Sequence, residues 1–204
     1  MNFSGGLART TDSTRIESYF AEINRLCSAA SVRDLAGLTM DLEAGFDWFE
    51  RRARALHDDG NSVIFIGNGG SASIASHQAT DFSRNGGIRA FALNDSAALT
   101  CFGNDYGYGE IFSRQLDMHG RKGDMLIAIS SSGQSVNILN AVEAARARDM
   151  WVVTFSGFSP DNPLRALGDL NFHVNSDQYG FIEIAHLTLI HAILDMRVME
   201  MRPE

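Results

Sequence analysis

The fold is decided by residues 63–81, VIFIGNGGSASIASHQATD. The first four residues are apolar, which is typical of a buried strand, and the run ends at Gly67. A glycine-rich segment follows, Asn68-Gly69-Gly70-Ser71, and leads into small residues without proline, which favour a helix. In such a strand, loop and helix, free backbone N–H groups and the helix dipole attract negative charge to the helix N-terminus. We therefore expect an anion at this loop.

A second strand and loop repeat this arrangement further along the chain. An apolar run at 125–129 is followed by SSSGQS at 130–135 and by a helical pattern at 136–148. The loop carries four hydroxyl groups around one glycine, those of Ser130, Ser131, Ser132 and Ser135. Because hydroxyl groups are neutral donors that reach several oxygens of one tetrahedral anion, we predict that this loop binds a phosphate group.

Composition limits the classes of protein and partner. With 204 residues, of which 45% are hydrophobic, the chain can bury one substantial core. The net charge of −8 and the lack of a basic cluster argue against nucleic acid and anionic membranes as partners, while a phosphorylated substrate stays compatible. Cys27 and Cys101 form no metal or redox spacing, and no segment resembles a signal peptide or a membrane span. We expect a cytoplasmic location.

Two helices are predicted before the first strand. Thr14 and Glu17 fit a capping box at the start of the first helix. The second helix, at 34–56, carries apolar residues seven positions apart, which are Leu35, Leu42, Phe49 and Leu56. Such a stripe covers either the chain's own sheet or a partner helix. We predict a subunit interface, because two helices before the first strand exceed what a single α/β layer needs.

The rest of the chain alternates short apolar strands with helices. Further strands are predicted at 88–93, 151–155 and 170–174, and further helices at 94–102, 111–119, 160–167 and 175–199. A polar, glycine-rich and aromatic loop is predicted at 103–109, and residues 1–11 are predicted to be loose. This alternation indicates an α/β fold with a parallel sheet covered on both faces. Ligands of such sheets bind beyond the carboxyl ends of the strands, where both loops lie.

Two groups of polar side chains accompany the loops. In the last helix Glu183, Thr188, His191 and Asp195 fall within one arc of an otherwise apolar helix, so they face either solvent or a site. His77 and Asp81 lie one turn apart in the helix after the first loop. Two carboxylates and two imidazoles near a phosphosugar suit proton transfer at carbon or a metal site with four N or O ligands.

The motifs together resemble a known family. They are GNGGSA at 67–72, GNDYGY at 103–108, ISSSGQS at 129–135 and the last helix with His191. They are similar to the sugar isomerase (SIS) domain, and within it to the phosphoheptose isomerases. The resemblance implies a five-stranded parallel, flavodoxin-like α/β sandwich with N-terminal helices for oligomerisation, homotetramers with active sites at subunit interfaces, and zinc in some members. It divides the chain into a tail and helix at 1–33 and a SIS domain at 34–204.

The family's functional residues map onto this sequence motif by motif. The resemblance assigns substrate binding to Asn68, Gly69, Gly70, Asn104, Asp105, Ser130, Ser131, Ser132, Ser135 and Glu183. It assigns metal binding to His77, Asp81, Glu183 and His191. It assigns catalysis to Asp81, Glu183 and His191.

Three positions depart from the family pattern. Asp81 stands where the family has its glutamate base, Glu183 where it has glutamine, and Phe181 where it has arginine. Aspartate is one methylene shorter than glutamate, and misplacing a base by about 1 Å costs on the order of a hundredfold in rate. The changes at Asp81 and Glu183 are compatible with Glu183 having taken over a role from Asp81, with another phosphosugar as substrate, or with no turnover.

The leading hypothesis is an aldose-ketose isomerase that acts on a phosphorylated sugar, most specifically sedoheptulose 7-phosphate, through an enediol. A second hypothesis is a non-catalytic SIS protein that binds a phosphosugar or a protein partner, as a replication-initiation regulator of this family does. A third treats GNGGSA at 67–72 as a dinucleotide fingerprint, GxGxxA. The third ranks last, because no acidic residue closes a second strand about twenty residues later.

Overall fold

The structure is a computed structural model, and it describes residues 12–198. The tail predicted at 1–11 and the predicted end of the last helix at Met199 lie outside the described residues. One sheet of seven strands forms the centre of the fold. The strands are β1 (Ser31–Asp34), β2 (Thr39–Met40), β3 (Val63–Gly67), β4 (Ala90–Ala92), β5 (Met125–Ser130), β6 (Trp151–Gly157) and β7 (Leu170–Val174).

The strand order across the sheet is β2-β1-β7-β6-β5-β3-β4. The strands β3 to β7 are parallel, whereas β1 and β2 are antiparallel to their neighbours. The parallel strands have the flavodoxin-like order, in which the chain switches direction between β3 and β5. The predicted five-stranded parallel sheet is therefore confirmed, and a hairpin that was not predicted extends it at one edge.

In the described part of the chain, seven α-helices surround the sheet. They are α1 (Asp12–Ser28), α2 (Leu42–Asp58), α3 (Gly70–Arg84), α4 (Ser96–Asp105), α5 (Ser113–His119), α6 (Val136–Arg146) and α7 (Tyr179–Ile193). Short 3-10 turns occur at Tyr108–Glu110 and Pro163–Ala166, and a π-helical turn at Leu194–Val198 extends α7. The helix predicted at 160–167 is therefore shorter and tighter than expected.

The strands alternate their side chains between two hydrophobic cores. Phe65 on β3 packs with Phe49 of α2 and Phe82 of α3 on one face. Ile64 and Ile66 belong to the core on the opposite face, which α5 and α6 cover. All five residues of β3 are buried, as expected for a strand covered on both sides.

The second helix differs from the prediction. Residues 34–40 form the end of β1, the turn and the second strand of the β1–β2 hairpin. Helix α2 begins only after Asp41, whose carboxylate accepts a hydrogen bond from the Ala44 amide at 2.8 Å. Leu35 is exposed, whereas Phe49 and Leu56 are buried in the core beneath α2. The seven-residue stripe thus covers the chain's own sheet, and the subunit interface predicted for it is wrong.

Two other boundaries were also misplaced. Because α1 begins at Asp12, Thr14 lies inside the helix, and the capping box predicted there is wrong. Helix α4 continues to Asp105, so the first three residues of the predicted loop at 103–109 are helical.

The last helix is the most apolar one. By length and composition alone, its extended stretch Tyr179–Met196 is the one candidate for a membrane span among the described residues. Its buried residues pack against the sheet, with Ile182, Ala185 and Leu189 in the core. Core helices of soluble proteins pass the same test, so this stretch is weak evidence for a membrane segment.

Candidate active site

A cavity of about 250 Å³ lies at the point where the strand order reverses. Its walls come from the loops after β3 and β5 and from the start of α7. It is lined by Asn68, Gly69, Gly70, Ser71, Ile129, Ser130, Ser131, Ser132, Ser135, Tyr179 and Glu183. Crevices at this point of an open α/β sheet are the usual ligand sites. The predicted first and second loops therefore meet in one cavity.

The serine loop is held tightly in its conformation. Gly133 has a positive φ of 62°, and a Cβ atom there would collide with the Asn162 side chain. Ser130 and Ser131 are buried, and the Ser130 and Ser135 hydroxyl oxygens lie 3.4 Å apart. Ser135 precedes α6, but its side chain makes no capping hydrogen bond, so its hydroxyl is available to a ligand. Hydroxyls at a helix N-terminus suit a phosphate group.

The first loop is fixed through Asn68. Its side-chain amide exchanges two hydrogen bonds of 2.9 Å with the side chain of Asn137 on α6. The hydroxyl of Tyr108 donates a further hydrogen bond of 3.0 Å to the Asn68 side-chain oxygen. These bonds connect the two loops and hold Asn68 rigidly at the cavity wall.

Three potential metal ligands converge between α3 and α7. The Nε2 atom of His77 lies 3.2 Å from Nε2 of His191 and 3.4 Å from Oδ2 of Asp81. One ligand atom from each residue lies within 4.8 Å of the others. Metal–ligand bonds of about 2.0–2.1 Å in a tetrahedral zinc site place neighbouring ligand atoms about 3.3 Å apart. The two distances from His77 match this spacing, whereas Oδ2 of Asp81 lies 3.9 Å from the other ring nitrogen of His191, Nδ1; the three side chains form a candidate metal site.

Asp81 has a further neighbour on its own helix. The side-chain amide of Asn85 lies 3.4 Å from Asp81 Oδ1, at the long end of hydrogen-bond distance. Each oxygen of this carboxylate therefore lies near nitrogen atoms. Oδ1 is next to the Asn85 side-chain amide, and Oδ2 is next to the imidazoles of His77 and His191.

Glu183 occupies a different place from the other predicted metal ligands. Its carboxylate lies directly against Gly70 in the cavity, where a Cβ atom on Gly70 would overlap it. It does not belong to the ligand group of His77, Asp81 and His191. The structure thus separates the four predicted ligands into a cluster of three and a single carboxylate beside the serine loop.

Two predicted substrate residues lie outside the cavity. Asn104 and Asp105 are exposed in the last turn of α4, and the Asn104 amide donates to the Asp105 carboxylate at 2.8 Å. Thr188 and Asp195 of the predicted arc are exposed as well. Within residues 12–198, the GNDYGY segment reaches the cavity wall through the Tyr108 hydroxyl.

Two other histidines are buried beneath the site. Burial lowers the pKa of His186 to about 4, and its Nε2 lies 3.0 Å from the Ser156 carbonyl oxygen. Burial, and secondarily the nearby charges of Arg165 and Arg33, lower the pKa of His173 to about 4. Both imidazoles are therefore neutral at pH 7.

Comparison with known proteins places the chain in a family. The model of the SIS domain matches residues 18–157, which contain both loops of the cavity. The chain belongs to the SIS domain family. The phosphoheptose isomerase of Enterobacter sp. (strain 638) is 34% identical to it over 189 residues, which are 87% of this chain and 95% of that protein.

Solved structures resemble this SIS domain along most of its length. The phosphoheptose isomerase of Neisseria gonorrhoeae has a TM-score of 0.77 and 33% identity, covering 91% of this chain and 99% of its own. The phosphoheptose isomerase of Francisella tularensis has a TM-score of 0.79 and 28% identity, and the match covers 95% of this chain and 100% of that one. The resemblance inferred from the sequence motifs is confirmed.

Sequence reasoning missed three residues of the site in this SIS domain. Asn137 lies in the first turn of α6, two residues beyond the serine loop, and Tyr108 lies three residues beyond Asp105. Tyr179 is the first residue of α7 and lines the cavity. Position next to a loop motif is the signal that identifies Asn137, whereas the contacts of the two tyrosines depend on how distant helices pack.

Proposed function

We propose that this protein is a phosphosugar isomerase that interconverts sedoheptulose 7-phosphate and D-glycero-D-manno-heptose 7-phosphate. The observation that carries the proposal is one cavity with serine hydroxyls and the Glu183 carboxylate, together with the His77-Asp81-His191 cluster on the two helices that border it, α3 and α7. Relatives named phosphoheptose isomerase that match most of the chain support the same reaction.

The serine loop would bind the phosphate group of the substrate. Hydroxyls of the loop and the free amides at the start of α6 offer neutral donors, and the helix dipole adds a favourable field. Since a phosphate anchored there fixes one end of the sugar, the carbonyl end extends into the remaining cavity beside Glu183.

Isomerisation requires a base at the carbon next to the carbonyl and an acid or base at the sugar oxygen. Asp81 faces two imidazoles and the Asn85 amide, whereas Glu183 lies in the cavity and forms no ion pair with the side chains described at 14–196. We therefore assign the carbon proton to Glu183. His191 would exchange a proton with the sugar oxygen once its ring has moved away from the metal proposed below, and Asp81 would orient the two imidazoles.

We propose zinc as the cofactor, held by His77, Asp81 and His191. Two imidazole nitrogens and one carboxylate oxygen are common zinc ligands, and three protein ligands are typical of a catalytic rather than a structural zinc site. When bound, zinc would polarise the sugar carbonyl. The protein's own contribution is to hold the two rings close together, with Asp81 shared between them.

We propose a homotetramer with active sites at the subunit interfaces. Ile16 and Phe20 on α1 are 60% and 63% exposed, which is unusual for large apolar side chains on one helix. Tyr19 of the same helix packs on Phe181 of α7, with ring centroids 4.8 Å apart, so this face adjoins the helix that carries Glu183 and His191. Light scattering of the purified protein would measure the number of chains.

We also propose that the enzyme is located in the cytoplasm.

The deciding experiment incubates pure protein with sedoheptulose 7-phosphate and assays the aldose product. We expect turnover by the unmodified protein and a loss of about a hundredfold or more in His191→Ala. The control is His57→Ala, because His57 is an exposed histidine at the end of α2, away from the cavity. Thermal stabilisation by the phosphosugar without any product would instead favour a non-catalytic binding protein.

A further inference from the structure

Tyr179 forms an unassigned part of the cavity wall. It opens α7, lines the cavity together with the serine loop and Glu183, and is 60% exposed. Its hydroxyl makes no hydrogen bond to the described part of the chain. A phenol in this position has both a flat apolar face and an unused donor next to a site suited to an anion.

The cavity lacks a positive charge of its own. Within residues 14–196, no lysine or arginine lines it, and its one charged group is the carboxylate of Glu183. A bound phosphate must therefore be held by neutral donors and by helix dipoles. Each additional hydroxyl that donates to the phosphate then matters more than it would beside an arginine.

Phe158 supports Tyr179 from the side. The two ring centroids lie 4.7 Å apart with an interplanar angle of 75°, which is an edge-to-face contact. Phe158 has a positive φ of 54°, a backbone conformation that is costly for a residue with a Cβ atom. Its amide donates to the Ser176 carbonyl at 3.0 Å, which connects the end of β6 to the segment before α7.

The strained turn follows from the packing of α7 on β6. A Cβ atom on Gly157 would collide with Ile182, so the start of α7 approaches the end of β6 closely. The next residue, Phe158, has the positive φ, and its ring contacts Tyr179. Strained residues of this kind are concentrated at functional sites.

We propose that Tyr179 is a substrate-binding residue whose hydroxyl donates to the phosphate group, and that Phe158 is its positioning residue. The assignment of the substrate rests on the function proposed above, whereas the phosphate contact does not. Loss of one hydrogen bond to a charged group corresponds to a loss of affinity of about tenfold or more.

The test compares Tyr179→Phe, Phe158→Gly and the double variant. Phe158→Gly removes the ring and also relieves the positive φ, so the variant is expected to fold. Isothermal titration with inorganic phosphate gives the dissociation constant, and steady-state assays with sedoheptulose 7-phosphate give KM and kcat. Tyr106→Phe is the matched control, because Tyr106 is an exposed tyrosine that does not line the cavity.

We expect Tyr179→Phe to raise both the phosphate dissociation constant and KM about tenfold, with kcat changed less than about threefold. Phe158→Gly should produce part of this effect, and the double variant should be no worse than Tyr179→Phe, because both changes act through one contact. Phosphate affinity in Tyr179→Phe within about twofold of the unmodified protein would overturn the proposal. If the unmodified protein binds phosphate but does not turn over the sugar, the proposed function fails while the assignment of Tyr179 is still decided by titration.

Discussion

The Nε2 atoms of His77 and His191 lie 3.2 Å apart, although 114 residues separate them in the sequence. Two imidazole nitrogens at this distance share a proton or a cation, because two lone pairs would repel each other. Helices α3 and α7 bring them together, and Asp81 lies next to both rings. The contact therefore joins the His77 and Asp81 pair on α3 and His191 on α7 in one cluster of three side chains.

The first prediction concerns metal content. We expect the unmodified protein to retain zinc after dialysis and each of His77→Ala, Asp81→Asn and His191→Ala to lose most of it, since each removes one of three ligands. Elemental analysis and the zinc-induced shift in melting temperature measure this independently of activity. The control is His119→Ala, an exposed histidine of α5. Equal zinc content in all four variants would contradict the site.

A second prediction separates the roles of the two carboxylates. Because Glu183 lies in the cavity and Asp81 beside the histidines, Glu183→Gln should lower kcat by about 10²- to 10⁴-fold while zinc content stays unchanged. Asp81→Asn should lower zinc content and activity together. Steady-state kinetics and metal analysis of the same preparations provide the comparison. If Glu183→Gln keeps its kcat, the base is not Glu183.

The sequence predicted the parallel sheet and both loops well, because β3 and β5 are continuous apolar runs that end at glycine or serine. It failed at residues 31–40. Strands of four and two residues are too short for a periodic signal, and Leu35 fitted the seven-residue spacing of α2 by coincidence. Hydrogen bonds within the hairpin stabilise it, including that from the Leu38 amide to Asp34 at 2.9 Å.

The sequence indicated the two loops of the candidate site and the three residues of the histidine cluster, but not how they are arranged. Glu183 and His191 share an arc of α7, yet eight residues separate them, which corresponds to about 12 Å along the helix axis. Periodicity describes direction around the axis and ignores this separation. In the structure Glu183 contacts Gly70 at the start of α3, whereas His191 contacts His77, which lies two turns further along α3.

A third prediction concerns the pH dependence of stability. His173 and His186 have pKa values of about 4 in the folded protein, below the ordinary value of 6.5, because they are buried. Between pH 4 and pH 6.5 the unfolded state therefore binds more protons than the folded state. The free energy of unfolding consequently falls as the pH drops from about 6.5 to about 4. Each histidine contributes a slope of up to about 1.4 kcal/mol per pH unit.

Urea unfolding at several pH values measures this slope. In His186→Gln, the side-chain amide keeps a hydrogen-bond donor near the position of His186 Nε2, which contacts the Ser156 carbonyl. In His173→Asn, the side-chain amide keeps a donor near the position of His173 Nδ1, which lies 3.3 Å from the Ser156 hydroxyl. Each variant should have a shallower slope below pH 6.5 than the unmodified protein. An unchanged slope in both variants would mean that other groups cause the acid sensitivity.

A fourth prediction tests the contact between Gly70 and Glu183. The added Cβ of Gly70→Ala would overlap the Glu183 carboxylate, which is the far end of a flexible side chain and can shift, so we expect a loss of at most about 1 kcal/mol in the free energy of unfolding. Gly70 has no positive φ, so the effect is steric rather than conformational. In a Glu183→Ala background the same change should cost little. Denaturant unfolding of the four proteins gives the coupling energy, and additive effects would show that the two residues do not touch.

The last prediction concerns Gln78, which follows His77 on α3 but faces the core. Its side chain is fully buried, and neither amide atom has a hydrogen-bond partner in the part of the chain whose side chains are described, 14–196. An unpaired buried amide costs about 1–3 kcal/mol, so Gln78→Met should raise the free energy of unfolding by a similar amount. The matched control is Gln115→Met, since Gln115 is also buried but donates to the Ile111 carbonyl at 2.7 Å. That variant should lose about 1 kcal/mol. Destabilisation by Gln78→Met equal to the control would mean that the Gln78 amide is paired in solution, by water or by a second chain.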